Sequence, residues 1–80
     1  MHPHAKLRQS ILETLYQQRE AQAGMLKPKW VSEYDLKARH GDVAFALDVL
    51  VDVGHVRRDG PHYWITGPGV LACEASLTGP

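Results

Sequence analysis

The hydrophobic period of this chain changes near residue 54, and that change constrains the fold more than any other feature. Before it, apolar residues recur at three- and four-residue spacing, as they do on one face of an α-helix. After it, two short runs at 55–57 and 62–66 are rich in strand-forming residues and enclose an Asp-Gly-Pro segment typical of turns. The pattern predicts several helices followed by one β-hairpin.

Three helices are predicted before the hairpin, and a glycine follows each of them. They span 5–23, 33–40 and 43–53, with a very short strand at 30–31 between the first and the second. In the first helix one face holds Leu7, Ile11, Leu12, Leu15 and Tyr16. The main apolar positions of the second are Tyr34, Leu36 and Ala38. The inward stripe of the third is expected to hold Val43, Ala46, Leu47, Leu50 and Val53.

Polar residues mark two of these helix starts. Ser32 and Asp35 resemble a capping box, in which the first side chain accepts a hydrogen bond from the backbone three residues on. Asp42 is expected to cap the third helix. Beyond the hairpin, residues 70–75 predict one or two helical turns, and 76–80 a loose tail.

Side-chain alternation predicts how the two strands of the hairpin pair. A loop over 58–61 places Arg57 opposite His62 and Val56 opposite Tyr63. The inward face then holds Val56, Tyr63 and Ile65, and the outward face holds His55, Arg57, His62 and Trp64.

Length and composition limit the class of protein. With 80 residues and 44% hydrophobic content the chain can build one small core, so we expect a single domain over 1–80 with its core at about 5–75 and flexible ends. The single cysteine, Cys73, excludes an internal disulfide framework and is expected in the core or at an interface. There is no run of about 18 apolar residues and no secretory signal at the start, which predicts a cytoplasmic protein.

The chemistry-bearing residues form no catalytic or metal-binding pattern. The five histidines include no helical pair at four-residue spacing and have no accompanying set of acidic ligands, so we expect no metal. No nucleophile stands at a suggestive spacing from a base, and there is no glycine-rich phosphate loop. We therefore expect neither an enzyme nor a bound cofactor.

The order helix, strand, helix, helix, hairpin, helix resembles a known family. The resemblance rests on Val31-Ser32-Glu33-Tyr34-Asp35-Leu36, Ala46-Leu47-Asp48-Val49-Leu50, Gly54-His55-Val56-Arg57-Arg58 and Tyr63-Trp64-Ile65-Thr66-Gly67-Pro68-Gly69. Over roughly 5–75 the chain is similar to the winged helix-turn-helix domain of small bacterial transcriptional regulators. This implies an α+β, mainly helical fold with a three-helix core and a two- or three-stranded β wing.

The resemblance also implies binding to double-stranded DNA and a role in transcription regulation. In the family the third helix enters the major groove, and the wing touches the backbone or the minor groove. A homodimer is expected, joined through the first helix and segment 70–75, because one such domain contacts only a few base pairs. The residues expected to face DNA are Lys29, Lys37, Arg39, His40, Arg57, Arg58 and His62.

The predicted third helix differs from a DNA-reading helix. Its only polar side chains are Asp42, Asp48 and Asp52, and phosphates repel carboxylates. Residues 1–40 carry seven Lys and Arg against four Asp and Glu, a net charge of +3, whereas residues 41–80 carry two against five, a net charge of −3. The sequence therefore favours binding led by phosphate contacts over readout of bases.

An alternative function follows from the same helix. Its apolar and acidic outer face predicts a winged-helix module that dimerises or docks on another protein. Trp30 is expected to be a packing residue, whereas the predicted register turns Trp64 outward, toward a sugar, a base or a partner subunit. The residues expected at such a protein interface are Ala44, Phe45, Val49, Val51 and Trp64.

Overall fold

The computed structural model describes residues 3–78, which form four helices and three strands. The helices are α1 (Pro3–Ala21), α2 (Glu33–His40), α3 (Ala44–Asp52) and α4 (Gly67–Thr78), and the strands are β1 (Val31–Ser32), β2 (Val56–Asp59) and β3 (His62–Ile65). The fold is α+β and mainly helical, as the sequence predicts. The extreme ends expected to be flexible, 1–2 and 79–80, lie outside the described residues. None of the described helices is long and apolar enough to span a bilayer.

The three strands form an antiparallel sheet in the order β1-β3-β2. Asp59 pairs with His62, so the hairpin turn contains only Gly60 and Pro61. Gly60 has a φ of +60°, which both types of hairpin turn require at their first central residue. Type I′ also needs a positive φ at the second central residue, and proline cannot adopt one, so the turn is of type II′.

The predicted hairpin register is wrong by two residues. Arg57 lies opposite Trp64 rather than His62, because the turn is two residues long and not four. A shift of two residues preserves the alternation of side chains between the two faces, so the predicted faces are correct for the residues within β2 and β3, whereas His55 lies before β2. Val56 and Tyr63 are buried on the inner face, as expected.

The core lies between α1, α3 and the inner face of the sheet. The apolar stripe of α1 faces it as predicted, with Ile11, Leu12 and Leu15 buried. Cys73 of α4 is fully buried in the same cluster, which confirms its predicted place in the core. The other buried members are Leu36, Val43, Ala46, Leu47, Leu50, Val56, Tyr63 and Ile65.

Helix α2 is anchored by one buried side chain. Its start is capped as predicted, since the Asp35 backbone N–H donates to Ser32 Oγ at 3.1 Å. Of its three main apolar positions, Leu36 is fully buried, whereas Tyr34 is 81% exposed and Ala38 is exposed. The helix has only about two turns, and a single side chain at its middle reaches the core.

Helix α3 turns its predicted inner face to the core, with one exception at its end. Val53 is 55% exposed because the helix ends one residue earlier, and Gly54 then turns the chain with a φ of +86°. Asp42 Oδ1 accepts from the Ala44 backbone N–H at 3.3 Å, so the predicted contact is present. The N-cap position itself belongs to Val43.

Helix α4 is longer than predicted. The Gly-Pro-Gly segment at 67–69, expected to be a turn before the helix, forms the first helical turn. Thr66 Oγ1 accepts from the Gly69 backbone N–H at 3.1 Å, and a proline needs no backbone hydrogen bond in a first turn. Because the helix continues to Thr78, the loose tail predicted from residue 76 is wrong for 76–78.

Candidate nucleic-acid interface

The outer face of the sheet carries a row of aromatic and cationic side chains. Trp64 lies opposite Arg57 in the hairpin, and Trp30 stacks on Trp64 with ring centroids 6.1 Å apart and an interplanar angle of 15°. Both indoles are half-buried, whereas Arg57 is exposed. His62, also predicted to face DNA, is exposed in the neighbouring row, opposite Asp59. This face therefore combines a stacking surface with the cation of Arg57, and Asp59 adds a carboxylate two residues along the same strand.

A groove of about 570 Å³ lies between α1, β1 and α2. It brings two of the predicted phosphate contacts, Lys29 and Arg39, together with the indole of Trp30. Asp35 contributes the carboxylate of the lining. The remaining lining residues are Thr14, Gln17, Gln18, Val31 and Ala38. Since these residues come from three separate elements, their spacing in the sequence does not predict the groove.

The backbone of Lys29 is clamped by the side-chain amide of Gln22, which lies in the turn directly after α1. Gln22 Oε1 accepts from the Lys29 N–H at 2.6 Å, and Gln22 Nε2 donates to the Lys29 carbonyl at 2.9 Å. Gln18 Nε2 adds a longer contact of 3.4 Å to the same carbonyl. The connector that leads into Trp30 is therefore held in place without regular secondary structure. Sequence reasoning missed both glutamines, because a glutamine on a helix surface (Gln18) or in a turn (Gln22) carries no signal for such a contact.

The basic residues of α2 have different surroundings. Lys37 and Arg39 are exposed, and within residues 3–78 neither side chain has a hydrogen-bond or ion-pair partner. His40 is half-buried, and its Nε2 lies 2.9 Å from the hydroxyl of Thr14, which itself donates to the Ser10 carbonyl. His40 thus joins α2 to α1 through Nε2, which leaves Nδ1 as the ring nitrogen that could contact DNA.

Arg58 lies on the inner side of the hairpin. Its Nε donates to the Gly60 carbonyl at 3.0 Å, and the exposed side chain borders a cavity of about 210 Å³ together with Glu33 and Asp48. Burial raises the pKa of Tyr63 in this cavity, the charge of Arg58 opposes the rise, and the charge of Glu33, which accepts from the Tyr63 hydroxyl at 3.3 Å, adds to it. These carboxylates partly neutralise Arg58, which makes it a weaker candidate for phosphate than Arg57.

The outer face of α3 is apolar and acidic, as predicted. Ala44, Asp48 and Asp52 are exposed, and 56% of Phe45 is exposed. The Phe45 ring meets the ring of His4 edge-on, with centroids 5.0 Å apart. This surface offers an apolar patch beside two negative charges.

The residues predicted for a protein interface lie on two different parts of the molecule. Ala44 and Phe45 are exposed on α3, whereas Val49 and Val51 are half-buried and Val51 packs against the core. Trp64 is half-buried on the outer face of the sheet, where it stacks on the other indole.

Helices α1 and α4, the predicted dimer elements, pack against each other. The Tyr16 hydroxyl donates to Glu74 Oε2 at 2.7 Å, and this hydrogen bond, followed by desolvation and the Glu74 charge, raises the pKa of Tyr16 to about 12. Burial raises the pKa of the Cys73 thiol, so Cys73 is not a reactive thiolate. Leu71 is exposed, which leaves apolar surface on α4.

Within residues 3–78, no group of three or more His, Cys, Asp or Glu side chains is placed to hold a metal ion. Comparison with protein-family models, with curated proteins and with solved structures gives no match to this chain. Support for a function therefore comes from the surface of the fold.

Proposed function

We propose that this domain is a winged helix-turn-helix that binds double-stranded DNA mainly through its phosphates and acts in transcription regulation. The order of the elements supports this proposal: two short helices meet at the turn around Gly41, and a hairpin follows directly. Strand β3 of that hairpin also pairs with β1, which precedes α2. This layout is compatible with a winged helix, in which the hairpin is the wing.

The placement of positive charge carries the proposal. Lys37 projects from α2 and Arg57 from the hairpin, and both are exposed without a side-chain partner among the described residues. Such cations are available to neutralise phosphates. Helix α3 instead exposes Asp48 and Asp52, which phosphates repel. The proposed complex is therefore led by α2 and the hairpin, with little reading of bases by α3.

The salt dependence of binding tests this function. A labelled duplex titrated at increasing salt should bind the protein progressively more weakly, because each phosphate contact releases counterions. Replacing Lys37 and Arg57 together with glutamine should reduce the slope of log affinity against log salt by about 1.8, since each lost contact contributes about 0.9.

The matched control removes the same charge elsewhere. Lys6→Gln with Lys27→Gln changes two exposed lysines, one on α1 and one in the connector, and should leave the slope close to that of the unchanged protein. The proposal fails if the protein binds no duplex at low salt, or if both double variants reduce the slope equally.

A homodimer joined through α1 and α4 belongs to the same proposal. One domain of this size contacts few base pairs, and a two-fold axis supplies a second half-site. Leu71 on α4 and Val53 at the end of α3 are both exposed, and these apolar side chains favour association.

A second candidate function, docking on another protein through α3, is favoured by the exposure of Phe45. In that function Phe45→Glu should abolish association measured by light scattering, because a carboxylate cannot be buried unpaired in an interface. Tyr34→Glu, a similarly drastic change at an exposed position on α2, is the control and should leave association intact. If Phe45→Glu associates to the same extent as Tyr34→Glu, α3 is excluded as the interface.

A further inference from the structure

We propose that the groove between α1, β1 and α2 binds an unpaired nucleotide, with its base on Trp30 and its phosphate between Lys29 and Arg39. The site differs from the duplex contacts of Lys37 and Arg57 and does not depend on them. Its ligand is either a free nucleotide or one residue of a single strand, which share this chemistry.

The size and wall of the groove suit a nucleotide. Its volume of about 570 Å³ falls within the range of roughly 300–1,000 Å³ found for small-molecule sites. Trp30 borders the groove and is half-buried, so part of the indole remains open to a ligand. Its stacking on Trp64 holds the ring, and an aromatic ring held in this way is the type of surface on which unpaired bases stack.

The charge of the lining favours an anionic ligand over a neutral one. Lys29 and Arg39 supply two cations, and Asp35 supplies one carboxylate. Amide side chains of Gln17 and Gln18 can donate to and accept from the edge of a base. A proline-rich peptide would also pack on an aromatic residue, but it brings no phosphate for the two cations.

An unpaired base fits this site better than a duplex does. In a duplex each base is stacked on its neighbours, so its face is closed to an indole. The site is also formed before any ligand arrives, because Gln22, in the turn after α1, holds the Lys29 backbone and Val31 pairs with Tyr63. Little ordering is therefore required on binding.

Calorimetric titration of the intact protein tests the site with four probes: 5′-AMP, a short oligothymidine, a mixed-sequence duplex and a neutral proline-rich peptide. We expect Trp30→Ala to weaken binding of 5′-AMP or oligothymidine about tenfold, since this change removes the stacking surface. Trp30→Phe should retain most of the affinity. Because Trp30 also packs on Trp64, Arg39→Gln provides a second readout at an exposed position and should weaken binding several-fold.

The control variant, Lys6→Gln, removes one positive charge outside the groove and should leave these affinities unchanged. Binding of 5′-AMP assigns the site to a free nucleotide, and binding of oligothymidine alone assigns it to a single strand. The proposal is overturned if Arg39→Gln and Lys6→Gln have the same affinity for these ligands. It is also overturned if neither 5′-AMP nor oligothymidine binds, or if a neutral proline-rich peptide binds in their place.

The duplex separates this site from the proposed regulatory function. Trp30→Ala should leave duplex binding intact, whereas Lys37→Gln with Arg57→Gln should weaken it and leave 5′-AMP and oligothymidine bound. If the protein binds 5′-AMP or oligothymidine but not the duplex, the proposed regulatory function is contradicted and the proposed nucleotide site in the groove is not. Equal loss of single-strand and duplex binding in Trp30→Ala would contradict a separate site for unpaired bases.

Discussion

Replacing Gly69 with alanine should lower the free energy of unfolding by about 3 kcal/mol. Gly69 is buried in the first turn of α4, where an added Cβ would overlap the His55 carbonyl oxygen and lie 2.8 Å from Ile65 Cγ1. The His55 oxygen is held in place because it accepts from the Thr66 backbone N–H at 3.0 Å. Either this bond breaks or α4 moves away from the sheet, and both cost stability.

Chemical denaturation followed by circular dichroism measures this loss. Gly67→Ala, two residues earlier in the same turn, is the control because nothing lies within 4 Å of the added Cβ. Its effect should stay below about 1 kcal/mol. If the two variants were equally stable, α4 would not be packed this closely against the end of the hairpin.

Leu36→Ala should also cost about 3 kcal/mol, because it leaves a cavity under α2. Leu36 is the buried side chain by which that helix is attached to the core. At roughly 4–8 °C per kcal/mol for a domain of this size, the melting temperature should fall by about 15 °C. Since α2 carries Lys37 and Arg39, loosening it should also weaken the proposed contacts with phosphates.

Tyr34→Ala is the matched control on the same helix. Tyr34 is 81% exposed, so truncating it should change stability by no more than about 0.5 kcal/mol. Thermal unfolding of the two variants compares the two positions directly. A loss in Tyr34→Ala as large as that in Leu36→Ala would contradict the role of Leu36 as the buried side chain that attaches α2 to the core.

Local signals predicted the elements well. The spacing of Ile11, Leu12 and Leu15 predicted the buried face of α1, and Ser32 with Asp35 predicted the start of α2. These signals succeed because helix periodicity and capping involve residues within about four positions of each other. The prediction of a turn at 67–69 was wrong for a related reason, because it used the local sequence alone. Gly-Pro-Gly is usual in turns, and the cap from Thr66 makes this example helical.

The candidate site was predictable only in part. The sequence shows that Lys29, Arg39 and Arg57 are basic, and the structure leaves all three exposed. It does not show that Lys29 and Arg39 share a groove with Trp30, or that His40 is bonded to Thr14. Such groupings depend on how α1 packs across α2, which no short-range pattern encodes.

The sequence by itself determined the segments that form α1, α2 and α3, the inward and outward faces of the hairpin, and the acidic outer surface of α3. Each follows from spacing within one element, where burial of apolar side chains decides the face. Only the tertiary structure decided the hairpin register, the burial of Leu36 but not of Tyr34, and the groove beside Trp30. Hairpin registers two residues apart bury the same face, so side-chain alternation does not distinguish between them. A groove forms only where separate elements pack together, so no single segment of sequence specifies it.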